Sequence, residues 1–329
     1  MTDITLIITN WNGVDLLREC LPSIHAAVKY DAAHSYEVMV VDDCSTDNSL
    51  EMLSREFPWV RQERTPKNMG FHGANNYGVQ LASSIIVLPM NNDIKLHEQA
   101  LYHLARHFDP IVPENTSTFA ISGKFYGFDT TTFLYGNRGG YFHRGHFYLY
   151  EKDENDASQT LFACGGAFMV DRKRYLDLGG FDLMYHPLYY EEIDLCYRAL
   201  KRGWTVRYEP ASIAYHKIQG TITKQEKLKQ IRLISARNNY LFVWKNILDL
   251  PMTLSFLFFI PLFLLRDLCK GKFRFWAAFY MAIKRLPAAL RGRRKEKSAV
   301  LFSDYEILCR INNGYSDRKI APRLKSNRT

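Results

Sequence analysis

Along the first hundred residues the apolar pattern switches between two periods. A continuous apolar run over Ile4–Thr9, closed by Asn10-Trp11-Asn12-Gly13, predicts a buried strand and its turn. Leu16, Leu17, Cys20, Leu21 and Ile24 follow at helical spacing. Glu37–Val41 predicts a second strand, and Ser45–Phe57 a second helix with Leu50, Leu53 and Phe57 on one face. Val60–Glu63 is a weaker strand, Gly73–Ala82 a helix and Ser84–Leu88 a fourth strand. This alternation predicts an α/β fold, a mainly parallel sheet flanked by helices.

From about Pro110 the rhythm changes. Short aromatic strands and glycine turns run through Gly123–Tyr150. Ala163–Val170 reads as a strand, Arg172–Leu178 as a helix, and Pro187–Arg202 as a helix with its leading turn. Val206–Tyr208 and Ser212–Tyr215 read as short strands, and Thr223–Trp244 as a long helix. Pro251–Leu265 holds 15 residues without a charge, interrupted by Pro261. That is short of the roughly 20 apolar residues of a spanning helix. Phe275, Trp276, Phe279 and Ile283 form a second apolar face.

The charge is unevenly spread over the 329 residues. Arg266–Thr329 carries 17 Lys and Arg against 5 Asp and Glu, a balance of +12; residues 1–265 carry 26 against 29, a balance of −3. A nucleic-acid enzyme would spread its basic residues around a cleft, so no nucleic-acid partner is expected. A basic tail beside an apolar run suggests an anionic membrane surface, with Arg291-Gly292-Arg293-Arg294-Lys295 meeting headgroups. The six cysteines are scattered without a CxxC pair, and no basic n-region precedes the first strand. Reduced thiols, no secretory signal and a cytoplasmic setting are the expectation.

In an open parallel sheet, ligands bind beyond the carboxyl ends of the strands. Three of the four strands end in polar clusters: Thr9-Asn10-Trp11-Asn12, Asp42-Asp43-Cys44-Ser45 and Asn91-Asn92-Asp93. Asp43 or Ser45 alone is equally well a helix cap. Neither a GxGxxG after the first strand nor a P-loop is present. A diphosphate would then need a cation, and Asp93 offers an oxygen ligand to Mg²⁺ or Mn²⁺. Lys67–Gly78 surrounds a helix start with three glycines and three asparagines, a loop and cap or a polar wall for a base and ribose. Gly165-Gly166 marks a bulge or a close ligand approach. Glu191 and Glu192 are expected on different sides of a helix start, and Asp194 with Arg198 as an i,i+4 ion pair. His216 ends a strand-like run, a place where a histidine can ligate a metal.

In order, TNWNG, VVDDCSTDNS, NMGFHGANNYG, PMNND, CGGAFMVDR, GGFD, YYEEIDLCYR, GW and AYH resemble glycosyltransferase family 2, the inverting nucleotide-sugar transferases of GT-A fold. The resemblance runs from Ile4 to about Trp244 and extends to rhamnosyltransferase-like members. It implies a catalytic domain over 1–245, with a nucleotide-binding half (1–108) and an acceptor half (109–245). A helical, basic, membrane-associated region (246–329) follows. The implied donor-binding residues are Thr9, Asn10, Asn12, Asp42, Asp43, Asn75, Asn76, Asn91 and Asn92. Gly165, Gly166 and Tyr190 are implied for the acceptor, Asp93 and His216 for the metal. Glu191-Glu192 stands at the family's Glu-Asp pair, whose second member is the general base; here that member is Glu. Only the last Asp of the family's DxD-type motif is kept.

The implied reaction moves a sugar from a nucleotide-sugar donor to a hydroxyl of a glycan or lipid-linked glycan, as in bacterial surface polysaccharide synthesis. It places the chain at the cytoplasmic face of the membrane, against inner-membrane lipids. Trp11, Tyr189 and Tyr190 are candidates to pack on sugar faces. A nucleotidyltransferase on a similar sheet and a non-catalytic sugar-binding relative are the alternatives. The first would want a Gly-rich, basic loop after the first strand.

Overall fold

The computed structural model describes residues 3–217, 225–271 and 273–312. Four parallel strands form the first half of the sheet. β1 (Ile4–Asn10) lies between β2 (Tyr36–Asp42) and β4 (Ile86–Asn91), and β3 (Arg61–Arg64) extends it beyond β2. Asn10 stands opposite Asp42, and Thr9 opposite Asn91. The register therefore delivers all three polar strand ends to one edge. β4 continues through Pro89, which pairs opposite Ile7, so the strand outruns its expected end at Leu88.

The helices between these strands are α1 (Val14–Tyr30), α2 (Ser49–Glu56) and α3 (Gly70–Leu81). Helix α3 packs closely because Gly78 has no side chain: a Cβ there would fall 2.4 Å from Ile7 Cγ2. Helix α2 starts after Asn48, four residues later than the pattern suggested. Asp43 and Ser45 are therefore not its caps.

The second half is mixed. Its strands are β5 (Ile94–Leu96), β6 (Thr118–Gly127), β7 (Phe133–Tyr135), β10 (Phe168–Asp171) and β11 (Thr205–His216). The order across the whole sheet is β3-β2-β1-β4-β10-β6-β11-β5, with β7 on β6. β10 runs antiparallel to both β4 and β6. The expected strand over Ala163–Val170 pairs regularly only from Phe168, because Gly165 and Gly166 lie in an irregular stretch. The two short strands expected after Val206 are one strand, β11, bulged between Glu209 and Ile213. β5 pairs with β11 so that His216 stands opposite Ile94, next to Asp93. A hairpin of β8 (Arg138–His143) and β9 (His146–Glu151) forms a separate sheet.

Short helices α4 (Ala100–Ala105) and α5 (Arg172–Asp177) precede α6 (Glu191–Lys201). α7 (Gln225–Asn246) follows; the expected start at Thr223 lies outside the described residues. α8 (Leu250–Cys269), α9 (Arg274–Ile283), α10 (Leu286–Lys297) and α11 (Asp304–Ile311) complete the described chain. Residues from both sides of position 245, among them Leu241, Phe242, Ile260 and Leu308, share one hydrophobic core. Pro261 does not break α8, a continuous helix of 20 residues and long and apolar enough to cross a membrane. Phe256, Ile260 and Leu264 bury one face of it, while Leu254, Leu257, Phe258, Leu262 and Leu265 lie exposed on the other.

Candidate active site

At the strand edge, the amides and acids bond first to one another. Asn10 Nδ2 donates to Asp42 Oδ1 and Ser45 Oγ, both at 3.3 Å, and Asn92 Nδ2 donates to Asn10 Oδ1 at 2.7 Å. Asn12, in the left-handed region at φ 52°, accepts from the Thr46 amide at 2.7 Å. Asp43 accepts from Thr65 Oγ1 at 2.8 Å and from the amides of Met69 and Gly70 at 2.7 and 2.8 Å. That carboxylate thus fixes the turn into α3, where Gly70 takes φ +66°. Thr9, Asn12, Asn91 and Asn92 keep exposed surface at this edge, whereas Asn10, Asp42 and Asp43 are buried.

Two asparagines expected in the donor wall serve the interior instead. Asn76 Oδ1 accepts from Tyr175 Oη and the Phe181 amide at 2.7 and 2.9 Å, and its Nδ2 donates to the Phe181 carbonyl at 2.9 Å. It pins the Gly179-Gly180-Phe181 turn to α3. Asn75 is fully buried and donates to the Phe71 carbonyl one turn earlier. A helix carrying one wall of a cleft necessarily turns neighbouring residues inward.

The pair expected at the metal position does come together. His216 Nε2 lies 3.3 Å from Asp93 Oδ1, an oxygen that is buried and has no hydrogen-bond partner. Tyr135 Oη meets His216 Nδ1 at 2.7 Å, which leaves Nε2 as the ring nitrogen facing Asp93. A carboxylate oxygen without a donor, beside an imidazole oriented through its other nitrogen, fits two ligands of a divalent cation. Among the described residues no group of three or more His, Cys, Asp or Glu forms a complete protein cage. The remaining ligands would have to come from a diphosphate and water.

The glutamate pair departs from expectation. Glu191 and Glu192 do not diverge at the helix start; their carboxyl groups lie within hydrogen-bonding reach of each other. Residues in a first helical turn can both fold back, because no preceding turn blocks them. Glu191 is buried, with Oε2 3.2 Å from His72 Nε2, while Glu192 keeps some exposure. Burial raises both carboxyls, and at Glu192 the charge of Glu191 adds to it. Burial likewise pushes the His72 imidazole down to about 4, so it is neutral at pH 7. His72 was missed as a site residue although its segment stood out; its partner lies 119 positions away, which no local pattern reveals.

Glycine explains how these groups fit. A Cβ at Gly165 would fall 1.8 Å from Glu192 Oε1, and one at Gly166 would fall 2.9 Å from Tyr135 Oη. Gly165 and Gly166, expected to face an acceptor, instead make room for the second glutamate and for the tyrosine behind His216. Gly166 also accepts the Asn91 amide at 2.9 Å, tying this stretch to the end of β4. Tyr190 is a further correction: it is 7% exposed, and its hydroxyl accepts from Asn239 Nδ2 at 2.6 Å. Of the three aromatic candidates for sugar faces, Tyr189 and Trp11 are the exposed ones, at 41% and 61%. Burial raises the Tyr135 hydroxyl well above its ordinary range, and Cys164, Asp93 and Glu192 act on it in the same direction. Tyr135 thus bonds to His216 on one side, and Tyr135 and Glu192 back onto the adjacent Gly166 and Gly165.

A mixed sheet with a parallel half, polar strand ends and a carboxylate at the end of β4 defines a GT-A-type α/β fold. Residues 5–179 match the family described as glycosyl transferase family 2, and the chain belongs to that family. Its fold resembles that of TarS from S. aureus in complex with UDP, at TM-score 0.53 and 14% identity over 91% of this chain and 87% of that one. It also resembles the mannosyltransferase PcManGT from Pyrobaculum calidifontis in complex with GDP-Man and Mn²⁺ (TM-score 0.52, 15% identity, 98% of this chain, 79% of that one). GalNAc-T7, solved with UDP, GalNAc and Mn²⁺, gives TM-score 0.55 and 14% identity over 74% of this chain; the match spans about half of that protein, 48%. No curated protein sequence matches the chain.

Proposed function

We propose that the protein is a metal-dependent, inverting glycosyltransferase that uses a nucleotide-sugar donor and a hydroxyl acceptor. The observation that carries this reading is the Asp93–His216 pair held by Tyr135, with Glu192 and Tyr135 packed against the adjacent Gly165 and Gly166, in a member of glycosyl transferase family 2. The nucleotide ligands of TarS, PcManGT and GalNAc-T7 support a nucleoside diphosphate donor, and two of those structures contain Mn²⁺.

Asp93 and His216 would hold Mg²⁺ or Mn²⁺, which supplies charge stabilisation to the leaving diphosphate. Thr9, Asn12, Asn91 and Asn92 line the donor's side of the edge; Asn10, Asp42 and Asp43 hold that edge in shape. Trp11 and Tyr189 offer exposed ring faces to sugars. Glu192 accepts the proton of the attacking hydroxyl, because it is the member of the pair that keeps exposure. The hydroxyl oxygen bonds to the sugar C1 as the C1–diphosphate bond breaks on the opposite face, which inverts that carbon. Glu192 is raised further than Glu191, so the proton the pair shares sits on Glu192, and Glu192 acts as a base once that proton has left. A base whose pKa is raised towards the working pH removes a proton more effectively than an ordinary carboxylate.

We read the acceptor as a glycan or lipid-linked glycan at the cytoplasmic face of a membrane, in the synthesis of a surface polysaccharide. The exposed face of α8 continues into Phe273, Trp276, Tyr280 and Ile283. Contiguous apolar surface of this kind, beside basic residues, suits an anionic bilayer surface. Packing of the other face of α8 favours lying on the membrane over crossing it. Arg291, Arg294 and Lys295 remain exposed for headgroups, whereas Arg293 is taken up by the carbonyls of Trp244 and Ile247.

Nucleotide sugars mixed with Mn²⁺ and an acceptor glycan should release free nucleoside diphosphate; hydrolysis without any transfer product across a broad panel would defeat the catalytic reading. Flotation with anionic liposomes should carry the whole chain but not one in which Leu257, Phe258, Leu262 and Leu265 are changed to serine. Equal flotation of both would remove the membrane reading.

A further inference from the structure

Tyr189 and Tyr190 lead into the glutamate pair with φ of 67° and 79°. Two successive non-glycine residues in the left-handed region are unfavourable, because each side chain crowds the following carbonyl. Such a conformation persists only where its surroundings hold it. Here the holder is α7. Asn238 Nδ2 donates to the carbonyls of Tyr185, Leu188 and Tyr189 at 3.1, 2.9 and 2.8 Å. Arg237 Nη2 donates to the carbonyls of Tyr185 and His186 at 3.0 and 2.8 Å, and its Nε orients the Asn238 amide through Oδ1 at 2.9 Å. Asn239 holds the Tyr190 hydroxyl. Arg237 and Asn238 are buried, at 2% and 0% exposure, although nothing in the reaction touches them.

Tyr190 is the cap of α6, and its carbonyl accepts the first helical bond from the Asp194 amide at 2.8 Å. The backbone angle at Tyr190 therefore sets the direction in which Glu191 and Glu192 leave the loop. We propose that the Arg237-Asn238-Asn239 run is a positioning element for the glutamate pair: it holds Tyr189 and Tyr190 left-handed, and so aims Glu191 at His72 and Glu192 into the space left by Gly165. The proposal rests on Glu192 being the base, but it concerns residues that do not touch substrate. Asp93, His216 and Tyr135 stand on other elements, at the end of β4, on β11 and on β7. Loss of the clamp should move one half of the site and spare the other.

Asn238→Asp keeps the shape but sets a carboxylate against three carbonyls. Turnover should fall roughly 10²-fold, the usual effect of misplacing a reacting group by about an ångström. Donor KM and Mn²⁺-dependent nucleoside diphosphate affinity should stay as in the unaltered chain. In imidazole nitrogen NMR, the His72 signal should shift, because Glu191 moves away from it, while the His216 signal stays. Asn238→Ala combined with Tyr189→Gly is the second variant. Glycine adopts the left-handed conformation without a clash, so this pair should turn over faster than Asn238→Ala alone, each compared with its own Tyr189 background. Unchanged turnover in Asn238→Asp, equal loss of donor affinity and turnover, or a fixed His72 signal overturns the proposal. An absence of transfer by the unaltered chain defeats the functional reading instead, and the His72 signal then decides the positioning role on its own.

Discussion

Asp43 and Glu192 are both carboxylates at the edge of the same cleft, and their surroundings are opposite. Asp43 accepts three hydrogen bonds, two of them from backbone amides. Glu192 lies beside another carboxyl, that of Glu191, and is pushed well above the usual carboxylate range, first by burial and then by Glu191. The same contrast extends to the neighbours. Asn10, Asn12, Asp42 and Asn92 satisfy one another around Ser45 and Thr46. By contrast His72 Nδ1 and Asp93 Oδ1, with Asn91 Oδ1 at the end of β4 and Asn75 Oδ1 on α3, are buried without partners. Buried polar atoms are normally hydrogen-bonded, so the exceptions point to where a ligand is needed. The strand-end network is a scaffold that shapes a pocket, while the under-satisfied groups are the ones left for chemistry.

The sharpest way to break this comparison is to remove basicity from the under-satisfied side alone. Glu192→Gln keeps size and should lower turnover by about 10²–10⁴-fold, the usual effect of losing a positioned base, with donor affinity retained. Glu192→Asp should fall much less. Normal turnover in Glu192→Gln, with Glu191→Gln inactive, would move the base by one residue and reverse the exposure argument.

How far the sequence reached follows the same division. The strand ends were legible because a parallel sheet places every strand terminus at one edge, so identity and order suffice. Asp93 and His216 were legible on the same ground, each at a strand end. The roles of Asn76, Tyr190, Gly165 and Gly166 were not, because each depends on a partner distant in the chain: Phe181, Asn239, Glu192 and Tyr135. β5 was too short, at three residues, to leave a periodic signal, yet it sets His216 beside Asp93. Pro261 read as a helix breaker, but the exposed face of α8 tolerates it and the helix runs on.

Gly165→Ala tests whether the under-satisfied side depends on space rather than on added bonds. The new methyl would meet Glu192 Oε1 at 1.8 Å, so the carboxylate has to turn away. Turnover should drop roughly 10²-fold while Mn²⁺-dependent nucleoside diphosphate binding persists. Isothermal calorimetry beside a product assay separates the two, and joint loss of both would mean that Gly165 supports the donor side as well.

The scaffold side should respond in stability instead. Asn76→Ala leaves the buried Phe181 amide and carbonyl and the Tyr175 hydroxyl without their partner, at a cost of about 1–3 kcal/mol. Donor affinity measured below the melting temperature should not change. A tenfold loss of affinity with little change in melting temperature would return Asn76 to the donor wall.

The smallest expected effect is a displacement along the pH axis, and it separates the two causes acting on Glu192. Both carboxyls of the pair are raised above the ordinary 4.5, so the acidic limb of the rate profile should lie above the usual carboxylate range. In the folding balance, a raised carboxyl binds more protons folded than unfolded. Its contribution is complete below about 4.5 and declines as pH rises through the raised value. His72 acts in the opposite sense: lowered to about 4, it adds stability above its ordinary 6.5 that is lost as pH falls towards 4. Stability curves therefore mix two opposing terms, and the rate profile of a single variant is the cleaner reading. Glu191→Gln removes the neighbouring charge but leaves the burial. The acidic limb should move to lower pH without reaching the range of a solvated glutamate, because burial is the larger cause. An unmoved limb would mean that the two carboxyls do not interact. A limb that falls all the way to the solvated range would mean that the charge of Glu191, and not burial, sets the basicity of Glu192.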